Sequence, residues 1–255
     1  SEEEVLPKVW EKLPSLETVT FPYNEYTDTD LQNRIIYVEA SRACPFSCEF
    51  CLSSLDIPLR TFDVNLFLSE MKKLISRGCR NFKFVDRTFN LQISKSVQIL
   101  QFFLDNLTEN LFVHFEMIPD RFPLPLKEII QKFPPGVIQL EVGIQSFTPE
   151  VGKLISRKQN VVKTKENIQF LLSKTHAHIH ADLLFGLPGE TLQSFGESFN
   201  TLVQLKPQEI QFGILKLLKG TPIKRHIQDF KLKFYNHPPY DILQSKDFTY
   251  SEIMA

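Results

Sequence analysis

Glycine and cysteine are both sparse in this chain of 255 residues, with nine and four copies. No apolar run approaches the ~20 residues needed to span a bilayer, and no leader-like pattern of charge, apolar stretch and small residues opens the sequence. Four cysteines with three bunched together do not make the even framework of a disulfide-stapled protein. With 29 basic against 30 acidic residues the net charge is −1, so bulk charge attracts no polyanion and argues against a nucleic-acid partner. Phenylalanine is the opposite case, with 23 copies. Much phenylalanine and little glycine describe a densely packed interior, and the length suffices for one barrel-sized domain.

The few cysteines are informative because of where they stand. Cys44, Cys48 and Cys51 lie in Glu39-Ala-Ser-Arg-Ala-Cys-Pro-Phe-Ser-Cys-Glu-Phe-Cys51, spaced CxxxCxxC with Phe50 before the last. The apolar run Arg34-Ile-Ile-Tyr-Val38 leads straight into them, which predicts a loop leaving a buried strand. A zinc site would call for a fourth Cys or His at short spacing, and none follows Cys51. Three close thiolates can instead hold three irons of a [4Fe-4S] cluster and leave the fourth without a protein ligand. An open coordination position is what a catalytic metal site needs. Free thiols and an oxygen-sensitive cluster together point to the reducing cytoplasm. Cys79, in Arg77-Gly-Cys-Arg80, reads as a half-buried structural thiol.

Short apolar runs alternate with amphipathic segments along the rest of the chain, the pattern of β–α units and a parallel sheet. Strands are predicted at about 35–40, 81–86, 111–117, 137–143, 178–185 and 209–215. Helical periodicity covers Asp63 to Ser76, Ser94 to Leu107, Leu126 to Phe133, Val161 to Leu172 and Leu192 to Leu205. Six such units make an α/β fold, a partial (β/α)6 barrel open on one side. Polar residues fall toward the C-terminal ends of the strands, where such barrels place their sites: Asp86, Glu116, Glu141 with Gln145, and Asp182. Ionisable groups on apolar strands are costly unless paired or bound to something. Any one carboxylate could be a structural ion pair; four of them with Gln145 around one mouth suggest a polar ligand.

The cysteine motif with its aromatic, together with Gly186-Leu-Pro-Gly-Glu-Thr191, resembles the radical S-adenosylmethionine enzymes from Ile35 to about Pro222. The resemblance implies that the amine and carboxylate of S-adenosylmethionine chelate the open iron. An electron from the cluster then yields a 5′-deoxyadenosyl radical that takes hydrogen from the substrate. It further implies that Glu116, Gln145, Arg157 (in Ser156-Arg-Lys-Gln159) and Asp182 hold S-adenosylmethionine, with Phe50 and Glu141 also at the cofactor. Asp86 or its backbone would meet the methionine amine. Arg157 could equally be an exposed charge on a helix between Pro149 and Asn160. Relatives often carry Gly at the position of Ala43, where Ala is expected to be tolerated.

The lead-in Phe21-Pro-Tyr23 and Asp30-Leu-Gln-Asn-Arg34 resembles the cobalamin-linked branch of that family. Residues 1–33, with an acidic start at Ser1 to Glu4 and Trp10, read as a linker from a missing cobalamin-binding domain. Residues 34–222 form the core, and 223–255 a truncated C-terminal extension. The branch implies methylation or rearrangement of a small-molecule substrate, cobalamin held by a domain absent from this chain, and an electron donor such as a flavodoxin or ferredoxin. The alternatives are a cobalamin-independent enzyme resembling methylthiotransferases or coproporphyrinogen oxidases, or a non-catalytic iron–sulfur electron carrier. Three features are read without a ligand. Glu190 and Thr191 suit a helix start, His176, His178 and His180 alternate along a strand edge, and Lys216, Lys219, Lys224 and Arg225 form a solvated basic face.

Overall fold

A computed structural model describes residues 15–55 and 58–254; the acidic start at Ser1 to Glu4 and Trp10 lie outside them. The lead-in is packed onto the core. Tyr23 is buried, and its hydroxyl accepts a hydrogen bond from the Glu39 amide at 2.9 Å. Helix α1 (Asp28–Asn33) starts at a reciprocal capping box between Thr27 and Asp30, which satisfies two otherwise orphaned donors, and it buries Leu31. Strand β1 (Ile36–Val38) follows. The cysteine loop is then closed at its neck by a two-residue antiparallel ladder. There β2 (Ser41–Arg42) and β3 (Arg60–Thr61) pair Ser41 with Thr61 and Arg42 with Arg60.

From there the predicted alternation appears almost residue for residue. Helix α2 (Val64–Ser76), capped by the Asp63 carboxylate on the Leu66 amide, leads to β4 (Asn81–Phe84). Helix α3 (Ile93–Asp105), β5 (Phe112–Met117), α4 (Leu124–Ile130) and β6 (Ile138–Gln145) come next. Then follow α5 (Pro149–Leu154), α6 (Val161–Lys174), β7 (His178–Phe185), α7 (Leu192–Leu205) and β8 (Glu209–Ile214). The sheet runs β1-β4-β5-β6-β7-β8, parallel throughout, with β1 and β8 as its two edges. This is the six-unit open barrel expected from the periodicity. Among the described residues no helix is long and apolar enough to cross a membrane.

Alternation along each strand divides its residues between two faces. Phe82, Phe84, Val113, Phe115, Leu140, Val142, Ile179, Ala181 and Leu183 face the helices and are buried. The abundant phenylalanine finds its place here. Phe84 has ring neighbours in Phe67, Phe89, Phe103 and Phe115, with centroids 4.6–6.0 Å apart. Cys79 is fully buried rather than half-buried, and burial pushes its thiol up to about 11.

The opposite face carries Lys83, His114, Glu116, Glu141, Gly143, His180 and Asp182. The register sets them side by side, with Lys83 against His114, Glu116 against Glu141, Glu141 against His180, and Gly143 against Asp182. The chain beyond β8 adds the small pair β9 (Lys233–Phe234) and β10 (Ile242–Gln244), then α8 (Tyr250–Met254). It is attached through a second apolar cluster, in which Ile223, Leu232, Ile242 and Phe248 join Val151, Ile155, Phe185, Leu187 and Leu215.

Truncating Phe84 to Ala should remove the centre of the aromatic cluster and cost about 3–5 kcal/mol. Equilibrium urea unfolding would measure this, and a loss below 1 kcal/mol would show the cluster to be loosely packed.

Candidate active site

The cysteine loop rises from the β2–β3 neck at the C-terminal ends of the sheet strands. Cys44 and Cys48 are buried and Cys51 is partly exposed, and all three line one cavity of about 470 Å³. Burial raises the Cys44 thiol above its ordinary value, and charge on Cys48 and Cys51 would push the same way, which places the three sulfurs within electrostatic reach of one another. Among the described residues no three His, Cys, Asp or Glu side chains are arranged to hold a single metal ion. Three thiols lining one cavity are the donor type and number that a polynuclear iron–sulfur cluster uses.

Ala43, expected to be harmless, stands at φ +79°. That is the left-handed region where a Cβ costs roughly 1–2 kcal/mol, so the turn into Cys44 is held under strain that glycine would avoid. Phe50 lines the cavity and packs against the second apolar cluster.

Across the cavity stand Glu116, Glu141 and Asp182. Burial raises the Glu116 carboxyl, with the Arg87 guanidinium acting in the opposite sense from 2.8 Å away. Glu141 is held below the usual carboxylate range, chiefly by the hydrogen bond from His114, whose Nε2 lies 2.9 Å from it. Asp182 has only the Lys83 charge acting in that sense. Burial, reinforced by Glu141, Glu116 and Glu209, pushes it up to about 7. Its Oδ1 is buried and makes no aligned hydrogen bond, although His180 Nε2 lies 3.2 Å away.

A bulge ends β6. Gly143 opposes Asp182, whereas Gln145, two residues on, opposes Leu183 and takes φ +71°. Bulges re-aim side chains at barrel rims, and Gln145 lines the cavity. Arg157 is not an exposed helical charge. Helix α5 ends at Leu154, Ser156 turns the chain at φ +56°, and Arg157 comes back over the sheet. Its guanidinium donates to the Gly143 carbonyl, to Gln159 Oε1 at 2.8 Å and toward Cys48 Sγ at 3.5 Å. A Cβ at Gly143 would lie 2.8 Å from Gln145 Nε2, so any larger residue there would require the Gln145 amide to move.

Cys44, Cys48, Phe50, Cys51, Glu116, Glu141, Gln145, Arg157 and Asp182 therefore meet in one cavity. Asp86 does not have its side chain there. It is 2 % exposed and accepts from the Ala40 amide at 3.0 Å and from Ser41 Oγ at 2.5 Å. Two donors from the strand-to-loop junction turn it beneath the neck, and burial raises it to about 7; its neighbour Arg87 reaches the cavity instead.

Other readings also change. Glu190, read as part of a helix start, is a buried carboxylate. It accepts from the Gly186 amide at 3.2 Å and is pushed up to about 8 by burial, while Thr191 caps α7 in a reciprocal box with Ser194. His180 is buried inside the sheet rather than at a solvated edge. The basic face is partly paired, because Lys216 meets Asp241 at 2.6 Å and Arg225 meets the buried Glu49. Glu49 escaped notice in the sequence. Its one signal was a charged residue enclosed between two cysteines and a phenylalanine.

Asp182 moves from 3.8 when unfolded to about 7 when folded. Between those values the folded chain holds a proton that the unfolded chain has released, so this residue's contribution to stability falls as pH rises through that window. Replacing Asp182 with Asn should make the metal-free chain about 2–4 kcal/mol more stable than the parent at pH 7.5 and no more stable near pH 4. Urea unfolding across that pH range would measure the difference; a pH-independent gap would exclude titration of Asp182.

The model for the radical SAM superfamily matches residues 38–202. Bacteriochlorophyllide d C-12(1)-methyltransferase of Chlorobaculum tepidum is 20 % identical over 217 residues, 82 % of this chain and 46 % of that protein. Among solved structures, the radical S-adenosylmethionine methyltransferase TsrM from Kitasatospora setae, with tryptophan and a SAM analogue bound, superposes with TM-score 0.69. The identity is 17 %, and the match covers 83 % of this chain and 43 % of that one. TsrM is also known with cobalamin and a [4Fe-4S] cluster bound. Coproporphyrinogen III oxidase (HemN) of Escherichia coli gives TM-score 0.59 at 18 % identity, covering 76 % and 47 %. The chain spans less than half of each of these proteins. The three thiols and strands β4 to β7 thus fall inside a matched stretch of well over half the residues, and the chain belongs to the radical SAM superfamily.

Proposed function

We propose that Cys44, Cys48 and Cys51 hold a [4Fe-4S] cluster and that Glu116, Gln145, Arg157 and Asp182 seat S-adenosylmethionine beside it. The observation that carries this reading is the shared cavity, in which three thiols face buried polar groups that include an acceptor without an aligned partner. When bound, the cluster supplies the electron that cleaves S-adenosylmethionine to a 5′-deoxyadenosyl radical.

The chain's own groups divide the binding work. Arg157 already touches Cys48 and the end of β6, and its planar fork suits a carboxylate placed between them. Gln145 offers a neutral amide to the same region. Asp182, whose Oδ1 makes no aligned hydrogen bond, suits a hydroxyl donor, and Glu116 offers a carboxylate whose charge Arg87 shares. The low exposure of the Glu116 and Asp182 side chains, 18 % and 15 %, excludes much of the bulk water and strengthens their interactions.

In the whole protein this core would serve methylation or rearrangement of a small molecule, with cobalamin bound outside this chain and a flavodoxin- or ferredoxin-like donor supplying electrons. The likeness to a cobalamin-bound methyltransferase and to a bacteriochlorophyllide methyltransferase supports that branch.

Anaerobic reconstitution with iron and sulfide, followed by a strong reductant and S-adenosylmethionine, should release 5′-deoxyadenosine, and Cys48→Ala should abolish both the release and the cluster absorption. A Cys48→Ala chain with full iron content would overturn the ligand assignment. Gly143→Ala should displace Gln145 and weaken S-adenosylmethionine binding about tenfold, or ~1.4 kcal/mol, while sparing cluster assembly. Equilibrium binding to the reconstituted chain checks this, and unchanged affinity would remove Gln145 from the ligand set.

A further inference from the structure

Glu49 follows Cys48 and precedes Cys51 by two residues, yet its side chain is 4 % exposed and does not line the cavity. Every polar group of this residue is engaged by a remote part of the chain. Ser156 Oγ donates to Oε1 at 2.6 Å. Arg225 donates through Nε to Oε2 at 2.9 Å and through its terminal nitrogen to Oε1. His226 Nε2 lies 3.0 Å from Oε2. The backbone is held as well, with the Glu49 amide donating to the Ile155 carbonyl and its carbonyl accepting from the Ile223 amide, each at 3.0 Å. Ser156 also precedes Arg157, which approaches Cys48 Sγ from the same side.

We infer that Glu49 with Ser156, Arg225 and His226 is a clamp that holds the cysteine loop in its cluster-binding shape, so that the segment after β8 is part of the cluster site. The inference rests on the reading of the three cysteines as cluster ligands. The β2–β3 neck fixes only the base of the loop. Between Cys48 and Cys51 this carboxylate and its partners add side-chain anchors to the Glu49 backbone bonds, the Cys51 amide on the Cys48 carbonyl and the packing of Phe50. A loop ordered in advance loses less conformational freedom when metal binds, which favours assembly and retention. The planar guanidinium fork gives the clamp a direction that a point charge would not. Arg225 and His226 are positioning residues, since they reach the thiols only through Glu49.

The test compares anaerobically reconstituted parent chain with Arg225→Ala, Glu49→Gln and Arg225→Lys. Lys216→Ala serves as control, because it breaks the Lys216–Asp241 pair in the same extension without touching the loop. Iron and acid-labile sulfide are followed during a chelator challenge, and the EPR signal of the reduced cluster is recorded with and without S-adenosylmethionine. The expected result is at least tenfold faster iron loss and an altered EPR signal in Arg225→Ala and Glu49→Gln. Arg225→Lys should be intermediate and Lys216→Ala unchanged. If Arg225→Ala does not fold, as judged by far-UV circular dichroism of the metal-free chain, Ser156→Ala is read in its place, with faster loss again expected. Retention within twofold of the parent, or equal loss in Lys216→Ala, would overturn the clamp. A parent chain that assembles no cluster would instead overturn the reading of the cysteines and, with it, the clamp.

Discussion

Carboxylates held inside a parallel sheet are the constraint around which this molecule is arranged. Glu116, Glu141 and Asp182 stand on adjacent strands with limited access to water, where ionised groups are costly unless they are paired. Two of them are paired, Glu116 with Arg87 and Glu141 with His114. Asp182 lacks an aligned partner and is pushed up to about 7. A sheet built for stability alone would fill these positions with branched apolar residues, as the interior of closed (β/α)8 barrels does. Here the apolar residues take the other face, where phenylalanines supply the packing.

The rim of that sheet collects backbone strain. Ala43, Gln145 and Ser156 all adopt left-handed conformations without being glycine, and each introduces or orients part of the cavity wall. Ala43 enters the cysteines, Gln145 points into the cavity, and Ser156 turns Arg157 back toward the sheet. Non-glycine residues in such conformations persist where the surroundings over-determine them, and they gather at functional sites. Gly186, at φ +90°, shows the contrary solution. A Cβ there would lie 2.7 Å from Ile242 Cγ2, so the loop after β7 can pass under the C-terminal segment only with glycine.

Much of this was legible in the residues. The helix starts were written in local chemistry, as at Asp63 before α2 and Thr191 before α7, because a capping side chain needs only its own next three residues. The strands were legible through their alternation, and the cysteine spacing marked the loop that lines the cavity. Asp86 misled because the residues after a strand can turn to either side. Two donors at the loop junction, Ala40 and Ser41, captured its carboxylate beneath the neck, and nothing in the order of residues announces which side wins. Arg225 misled for a related reason, since in a run of basic residues the partner that singles one out lies 176 positions away.

The sequence by itself therefore determined the period of each element, the β–α alternation that calls for a parallel sheet and the spacing of the three thiols, because these are written along the chain. Tertiary structure alone decided which charges met. It brought Arg157 to Cys48, left Asp182 without an aligned partner, and joined Glu49 to a segment beyond the last sheet strand. Electrostatic partnership depends on distance in space and on the exclusion of water, and both exist only once the strands lie side by side.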